Sequence, residues 1–492
     1  MSSYPASSDK QVANDQLDHR PKVLSQLPSP SFVVNLRTFI NNCREVHNAI
    51  TSYSDSECTS SSSAPALSSS RTTSLPRRQI KLRPHVKTHK CKEGAFIQAF
   101  LRHSAPLRSD TSSSDGNDDR DSHTTASAGL VAGFVASTIP EMEMLYECAK
   151  ESKTVKPFGN IVYGIPISRS KIQRIIELKQ RFEDLQEQAH FKSDACDNDV
   201  ELHVLVDNIG QVQMLNEFSS EERKLSVYLK VDTGYHRAGV SINEDGVDLA
   251  CTIIDSNYLS LKGLYSHCGH AYDVSKKEEL EQIINLDHSR IVQFLNMLQQ
   301  KLSTSKPCDI SSKIVSALDI SVGSTPSVFM HHKNNVFNNI ANQIEVHPGN
   351  YVFYDRQQLW TGGSCSTEKQ IAVRVLSRVI SHYPDRNVML LDAGALALTK
   401  DSSPQGGVCS IEGHPKLECY KMSQEVIMVR PKEAKTKFPF QVFPLEKEVF
   451  LVPNHSCLAA ACFDRYFVVD NDTGTFDANE EIIEEWFPYK GW

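Results

Sequence analysis

The stretch GLVAGFVASTIPEMEMLYECAKES, residues 129–152, changes its period halfway along. Its first part is a short apolar run of the kind that fills a fully buried strand. After Thr138, the residues Met142, Leu145 and Cys148 recur every three positions, which predicts one apolar face of a helix. The two-part unit then repeats. NIVYGIPI (160–167) precedes SKIQRIIELKQRFEDLQEQ (170–188), and ELHVLVD (201–207) precedes a helix from about residue 210. KLSVYLKVD, LSLKGLYSHCG with the long helix after it, DISVGST, and IEVHPGNYVFYD (344–355) extend the series. Counting PSFVVNL (30–36) and IKLRPHVKTH (80–89), strand and helix alternate about eight times. Parallel strands with crossover helices follow, and eight units predict a closed (β/α)8 barrel, an open doubly wound sheet being the alternative.

Beyond about residue 365 the pattern is different. KQIAVRVLSRVISHY, NVMLLDAG, EVIMVRP, EVFLVPNHSC and RYFVVDN are short β-rich runs with little helical period, so a C-terminal all-β domain is expected. The resulting division is a largely flexible segment 1–27, a barrel over 28–345 and a β-domain over 346–492. Two Ser-, Asp- and Thr-rich stretches, about 51–77 and 104–128, hold too few large apolar residues to offset ordering entropy and read as disordered insertions.

Composition narrows the function. With 40% hydrophobic and 23% charged residues among 492, the chain reads as an ordinary globular protein. A net charge of −8 gives no global attraction for nucleic acid. No apolar run suits a membrane span, and the N-terminus lacks a secretory pattern. Thirteen scattered cysteines without a CxxC pair suggest reduced thiols and a cytoplasmic location.

Five stretches carry chemistry. In IKLRPHVKTHK the basic residues Lys81, Arg83, His85, Lys87 and His89 alternate with Leu82, Pro84, Val86 and Thr88. In a strand that spacing puts all five on one face. A solvated edge strand is the bland explanation. Inside a barrel, the same crowding lowers a lysine pKa and frees its amine as nucleophile or base. YLKVDTGYHRAGV (228–240) is a strand ending in a Gly-containing turn, and SVGSTPS (321–327) is a candidate anion cradle. HPGNYVFYD (347–355) again places small residues and an amide at a strand end. In VPNHSCLAA (452–460), His455 and Cys457 would share one face of an extended segment and could reach one borderline cation such as zinc. Singly, each of these has an ordinary structural explanation.

Taken in order, RPHVKTHK, KVDTGYHRAGV, SHCGHAY, VGSTPS, EVHPGNYVFYD, DAGALALTKD and PNHSC resemble the fungal-type eukaryotic D-serine dehydratases. These belong to the alanine-racemase-like, fold-type III group of pyridoxal 5'-phosphate (PLP) enzymes. The resemblance runs from about Pro28 to the terminal Gly-Trp, apart from the insertions. It implies a PLP-holding barrel plus a β-domain, as a homodimer. It also implies that Lys87 is the Schiff-base lysine and that Tyr163 and Arg237 line the cofactor pocket. His267 would stand against the cofactor ring. Gly323, Ser324 and Thr325 would bind the phosphate with Gly349 and Asn350, and His455 and Cys457 would hold Zn2+. The implied reaction is β-elimination of D-serine to pyruvate and ammonia, with D-threonine a further candidate substrate. Lys87 would serve as base and zinc as Lewis acid on the β-hydroxyl.

One position departs from the family: SQEVIMV has Val426 where a histidine is common. The nearest rival is a metal-dependent D-threonine aldolase, which tends to carry HxD; the softer Cys457 favours zinc and the dehydratase. A racemase needs no metal. A non-enzymatic PLP carrier lacks the β-domain, and a polyanion-binding module fits poorly with the charge.

Overall fold

The structure, a computed structural model, describes residues 21–51, 80–101, 130–188, 200–331 and 336–492. The two Ser-rich insertions, apart from Thr51, lie outside the described residues. Strands are numbered in chain order from β1 (Ser31–Asn35). Eight parallel strands come next: β2 (Lys81–Leu82), β3 (Phe134–Ala136), β4 (Asn160–Pro166), β5 (Glu201–Val206), β6 (Leu225–Lys230), β7 (Leu259–Tyr265), β8 (Asp319–Val322) and β9 (Ile344–Val346). Each of β3 to β8 pairs with the next, and β9 pairs with β2. A parallel bridge between His85 and Val135 brings the β2 segment back to β3, so the sheet closes into a barrel.

Helices fill the crossovers as the periodicity predicts. Thr138, Asn208 and Asn243 each cap a helix by accepting a backbone N–H from the first turn. In Arg169–Glu187 the buried residues Ile172, Ile175, Leu178, Phe182 and Leu185 form one stripe against the sheet. Pleating sorts the strand residues. Val135, Val162, Leu205, Tyr228 and Tyr265 cluster inside the barrel, whereas Phe134, Ile161, Tyr163, Val204 and Val227 join the core under the helices.

β1 corrects one expectation. PSFVVNL was counted as a barrel strand, but β1 lies in the second sheet. That sheet contains β10 (Val373–Tyr383), β11 (Val388–Leu391), β12 (Cys409–Ile411), β13 (Leu417–Met422), β14 (Ile427–Pro431), β15 (Glu448–Pro453), β16 (Tyr466–Val469) and β17 (Glu484–Trp486). β1 runs antiparallel to β10 and parallel to β16; every other pairing in the sheet is antiparallel. All five β1 residues are buried, because both faces are covered: Phe32 packs on Phe353, Phe463 and Tyr466, and Val33 on Leu376 and Phe467. A continuous apolar run is what either a barrel strand or a central sandwich strand requires, so its composition did not separate the two. Leu24 and Leu27 are also buried beside this sheet, so the end of the segment expected to be flexible is packed from residue 24.

Candidate active site

Loops at the C-terminal ends of the barrel strands converge, as parallel barrels arrange their chemistry. The basic stretch is only partly a strand. Arg83 and His85 point into the barrel, where Arg83 forms a buried bidentate pair with Glu345 at 2.7 and 2.9 Å. The chain then turns over residues 86–89. His89 leaves the shared face and hydrogen-bonds Gln98 at 3.0 Å. Lys87 is therefore carried on a turn at the barrel mouth, half-buried.

Around Lys87 stand His85, Lys230, Arg237, His267 and His347. Burial lowers the Lys87 pKa; the Cys457 sulfur opposes that shift and Arg237 adds to it. Burial and then the Lys87 charge hold His85 and His267 well below the usual histidine range. Lys230, 4% exposed, is brought down to about 8 by burial and then by Arg237. Its ammonium lies 5.5 Å from the Tyr265 ring centroid. Tyr265 in turn stacks on His347 at 4.2 Å and hydrogen-bonds His85 at 3.2 Å. A lysine amine in such surroundings is readily neutral, and so nucleophilic.

Two loops flank this cluster. Gly323, with φ +107°, opens the turn that carries Ser324 and Thr325. Thr325 Oγ1 accepts the backbone N–H groups of Gly349 and Asn350 at 3.2 and 3.0 Å, which ties the two loops together. A Cβ on Gly349 would stand 3.0 Å from the His85 Cβ and 3.6 Å from the Lys87 Cε, so glycine is what lets this backbone pass the lysine. His85 Nδ1 and His347 Nε2 are buried without a hydrogen-bond partner among the described residues. Small-residue loops beside an activated lysine, with polar ring atoms left over, fit a phosphorylated aldehyde cofactor such as PLP.

The second domain supplies the other half. Cys457 Sγ sits 3.2 Å from Thr88 Oγ1, next to Lys87, and 3.2 Å from Asn350 Nδ2. His455 Nδ1 pairs with Asp401 Oδ2 at 3.1 Å. Burial opposes protonation of His455, yet hydrogen bonds to Asp401 and Cys457 outweigh it and raise its pKa to about 11. Cys457 is lowered in turn, since the His455 contact overcomes the cost of burying a thiolate. The pair does not converge through an extended alternation, as its spacing suggested. His455 is extended, but Cys457 already lies in the short helix Ser456–Ala461. An imidazole held by a carboxylate beside a thiolate fits a borderline cation such as zinc. Among the described residues no group of three or more His, Cys, Asp or Glu side chains is placed to hold a metal ion.

Of the residues singled out from sequence, Lys87, Arg237, His267, Gly323, Ser324, Thr325, Gly349, Asn350, His455 and Cys457 fall in this region. Tyr163 does not. Pleating directs it into the helical layer near Glu141 and Arg174, while its neighbours Val162 and Gly164 face the interior. Val426 lies in the turn whose backbone holds Ala395–Leu398, a short helix packed on Ser456–Ala461. Sequence reasoning passed over Lys230, His347, Asp401 and Tyr272, whose hydroxyl hydrogen-bonds Thr325. All four lay within quoted motifs, but nothing in a motif shows which side chains turn inward.

Two family models match: "Alanine racemase, N-terminal domain" over residues 124–312 and "Putative serine dehydratase domain" over 372–469. The D-serine dehydratase of Schizosaccharomyces pombe is 26% identical over 487 residues, covering 96% of this chain and 94% of that one. That of Dictyostelium discoideum is 28% identical over 434 residues, covering 84% and 90%. Among solved structures, D-threo-3-hydroxyaspartate dehydratase from Delftia sp. HT23 superposes with a TM-score of 0.67 at 21% identity, over 96% of this chain and 100% of that one. A cysteine-to-alanine mutant of that enzyme is known in a metal-free form. The barrel and the covering β-domain are thus matched together. This chain belongs to the alanine-racemase-like, fold-type III PLP enzymes, and its relatives over most of its length include D-serine dehydratases.

Proposed function

We propose that this protein is a PLP- and zinc-dependent D-serine dehydratase that eliminates water from D-serine and yields pyruvate and ammonia. The observation that carries the reading is the approach of the His455–Cys457 pair to the Lys87 turn, with Cys457 Sγ 3.2 Å from Thr88 Oγ1. When bound, PLP supplies an electron sink for the pair left at Cα, and zinc a Lewis acid for the departing hydroxide. Lys87 has two tasks. Its amine would hold the cofactor and would take the α-proton, and both need the neutral form that burial and Arg237 favour. Gly323–Thr325 and Gly349–Asn350 would hold the phosphate, with His267 against the ring. His455 and Cys457 would hold the metal. That a D-threo-3-hydroxyaspartate dehydratase has a metal-free form supports a metal in this group of enzymes. We also propose a homodimer in the cytoplasm; the described cysteines are all free.

A coupled assay over D-serine, D-threonine and L-serine tests the reading. Pyruvate from D-serine and none from L-serine is the expected result. Glycine and acetaldehyde from D-threonine would instead identify an aldolase.

Asp401 gives a second test. It hydrogen-bonds His455 Nδ1, so Asp401→Ala should weaken zinc binding about 10- to 100-fold, read by competition with a chromogenic chelator. PLP absorbance should be unchanged.

A further inference from the structure

A chain of buried side chains runs from the long helix Lys277–Ser303 to the loop that starts at Gly323. His288 Nε2 lies 2.9 Å from His331 Nδ1, and His331 Nε2 lies 2.9 Å from Ser327 Oγ. Ser327 Oγ closes a small ring with Ser324, accepting its backbone N–H at 2.9 Å and approaching its carbonyl at 2.9 Å. All four residues are buried, and His288 is further fixed by stacking on Phe337 at 4.0 Å.

Counting protons gives this chain a direction. A hydroxyl has one proton to donate and two lone pairs to accept with. Ser327 already accepts from the Ser324 N–H. If it gives its proton to the Ser324 carbonyl, His331 must donate from Nε2, and His331 Nδ1 must accept from His288 Nε2. Each of these contacts then has one donor and one acceptor. If Ser327 instead donates to His331, the Ser324 carbonyl loses that donor. The sequence His288 to His331 to Ser327 to Ser324 is the arrangement that gives each of these contacts a donor and an acceptor.

The loop has been shaped around this relay. A Cβ on Gly323 would stand 2.6 Å from His331 Nε2, so the positive-φ glycine is needed for the imidazole to reach Ser327. We propose that His331 is a positioning residue for the phosphate end of the cofactor site: through Ser327 it fixes the backbone of Gly323–Thr325 in the conformation that receives a phosphate. This rests on the PLP reading above and adds to it a residue that does not itself touch the ligand.

The proposal separates phosphate binding from aldehyde binding, and two ligands separate them experimentally. Pyridoxal has the aldehyde that meets Lys87 but lacks the phosphate. Dissociation constants for PLP and for pyridoxal would be measured by absorbance on the full-length apoprotein. His331→Ala should weaken PLP binding tenfold or more, about the effect of leaving one buried hydrogen-bonding group unmet. It should leave pyridoxal within about twofold. His331→Gln, whose side-chain N–H can take the place of Nε2–H, should recover most of the loss. Intact pyridoxal binding also reports that the variant is folded. Equal losses for both ligands in both variants, or no loss of PLP affinity in His331→Ala, would overturn the proposal. Wild-type protein with no preference for PLP over pyridoxal would overturn the phosphate-site reading beneath it, which the wild-type arm reveals alone.

Discussion

Lys87→Ala should give a colourless protein whose pyruvate production from D-serine is lower by at least about 10³-fold, the upper range for loss of one positioned base. Two separate functions end together at this position, the covalent tether and the proton acceptor. Neither neighbouring lysine can substitute. Lys90 is paired with the buried Glu141, and Lys230 lies inside the barrel against Tyr265. Lys87→Arg should fail equally, because a guanidinium stays protonated and cannot form the imine. Added primary amines should restore part of the turnover in Lys87→Ala but not in Lys87→Arg, where the bulk remains. A Lys87→Ala protein that stays yellow would falsify the assignment and point to another lysine.

The second large effect belongs to the metal. Cys457→Ala should lower D-serine turnover by roughly 10² to 10³-fold, the range for loss of a Lewis acid worth several kcal/mol. The PLP absorbance should persist, since Cys457 comes from the β-domain and the lysine from the barrel. A chelator applied to wild-type protein should reproduce the same separation, and zinc should reverse it. Chelation without effect on the rate would remove His455 and Cys457 from the catalytic description. The thiol-to-alanine change also removes the sulfur that opposes the Lys87 shift. The Lys87 amine should then be more readily neutral, so cofactor binding does not suffer.

Much of the barrel was legible because its signal is local. The change from a strand run to a helical stripe at residues 129–152 needs only neighbouring residues to be recognised, and β3 to β9 lie where such changes occur. In the second domain β10, β11, β14, β15 and β16 were visible as apolar runs. β12, β13 and β17 were not: CSI and EEW are three residues long, and LECYKM mixes charged with apolar residues. β1 was visible as a strand, but its five buried residues would suit either sheet.

The site divides in the same way. Residue type and order marked Lys87, the two small-residue loops and the HxC pair. Orientation was harder to read. Tyr163 sits at a strand end as a pocket residue should, yet the pleat turns it outward. His89 was placed on the lysine's face by strict alternation, but the strand ends before reaching it. His331 escaped notice because its importance comes from one contact with Ser327 and one with His288, and no spacing encodes that.

β1 has a consequence for how the protein comes to be made. The sheet that bears His455 and Cys457 has residues 31–35 near its middle, between strands that begin at 373 and 466. During synthesis β1 leaves the ribosome first and waits through more than three hundred residues for β10, and longer for β16. The barrel can close in that interval, with β1 held ready by the helix Leu36–Thr51 that follows it. The sheet that bears His455 and Cys457 is thus complete only when residues 31–35 have paired with both β10 and β16. A fragment starting at residue 346 would be a sheet with a gap, exposing the bare edges of β10 and β16 to strands of other molecules. The enzyme's two halves are separate in chemistry but cannot be separated by cutting the chain once.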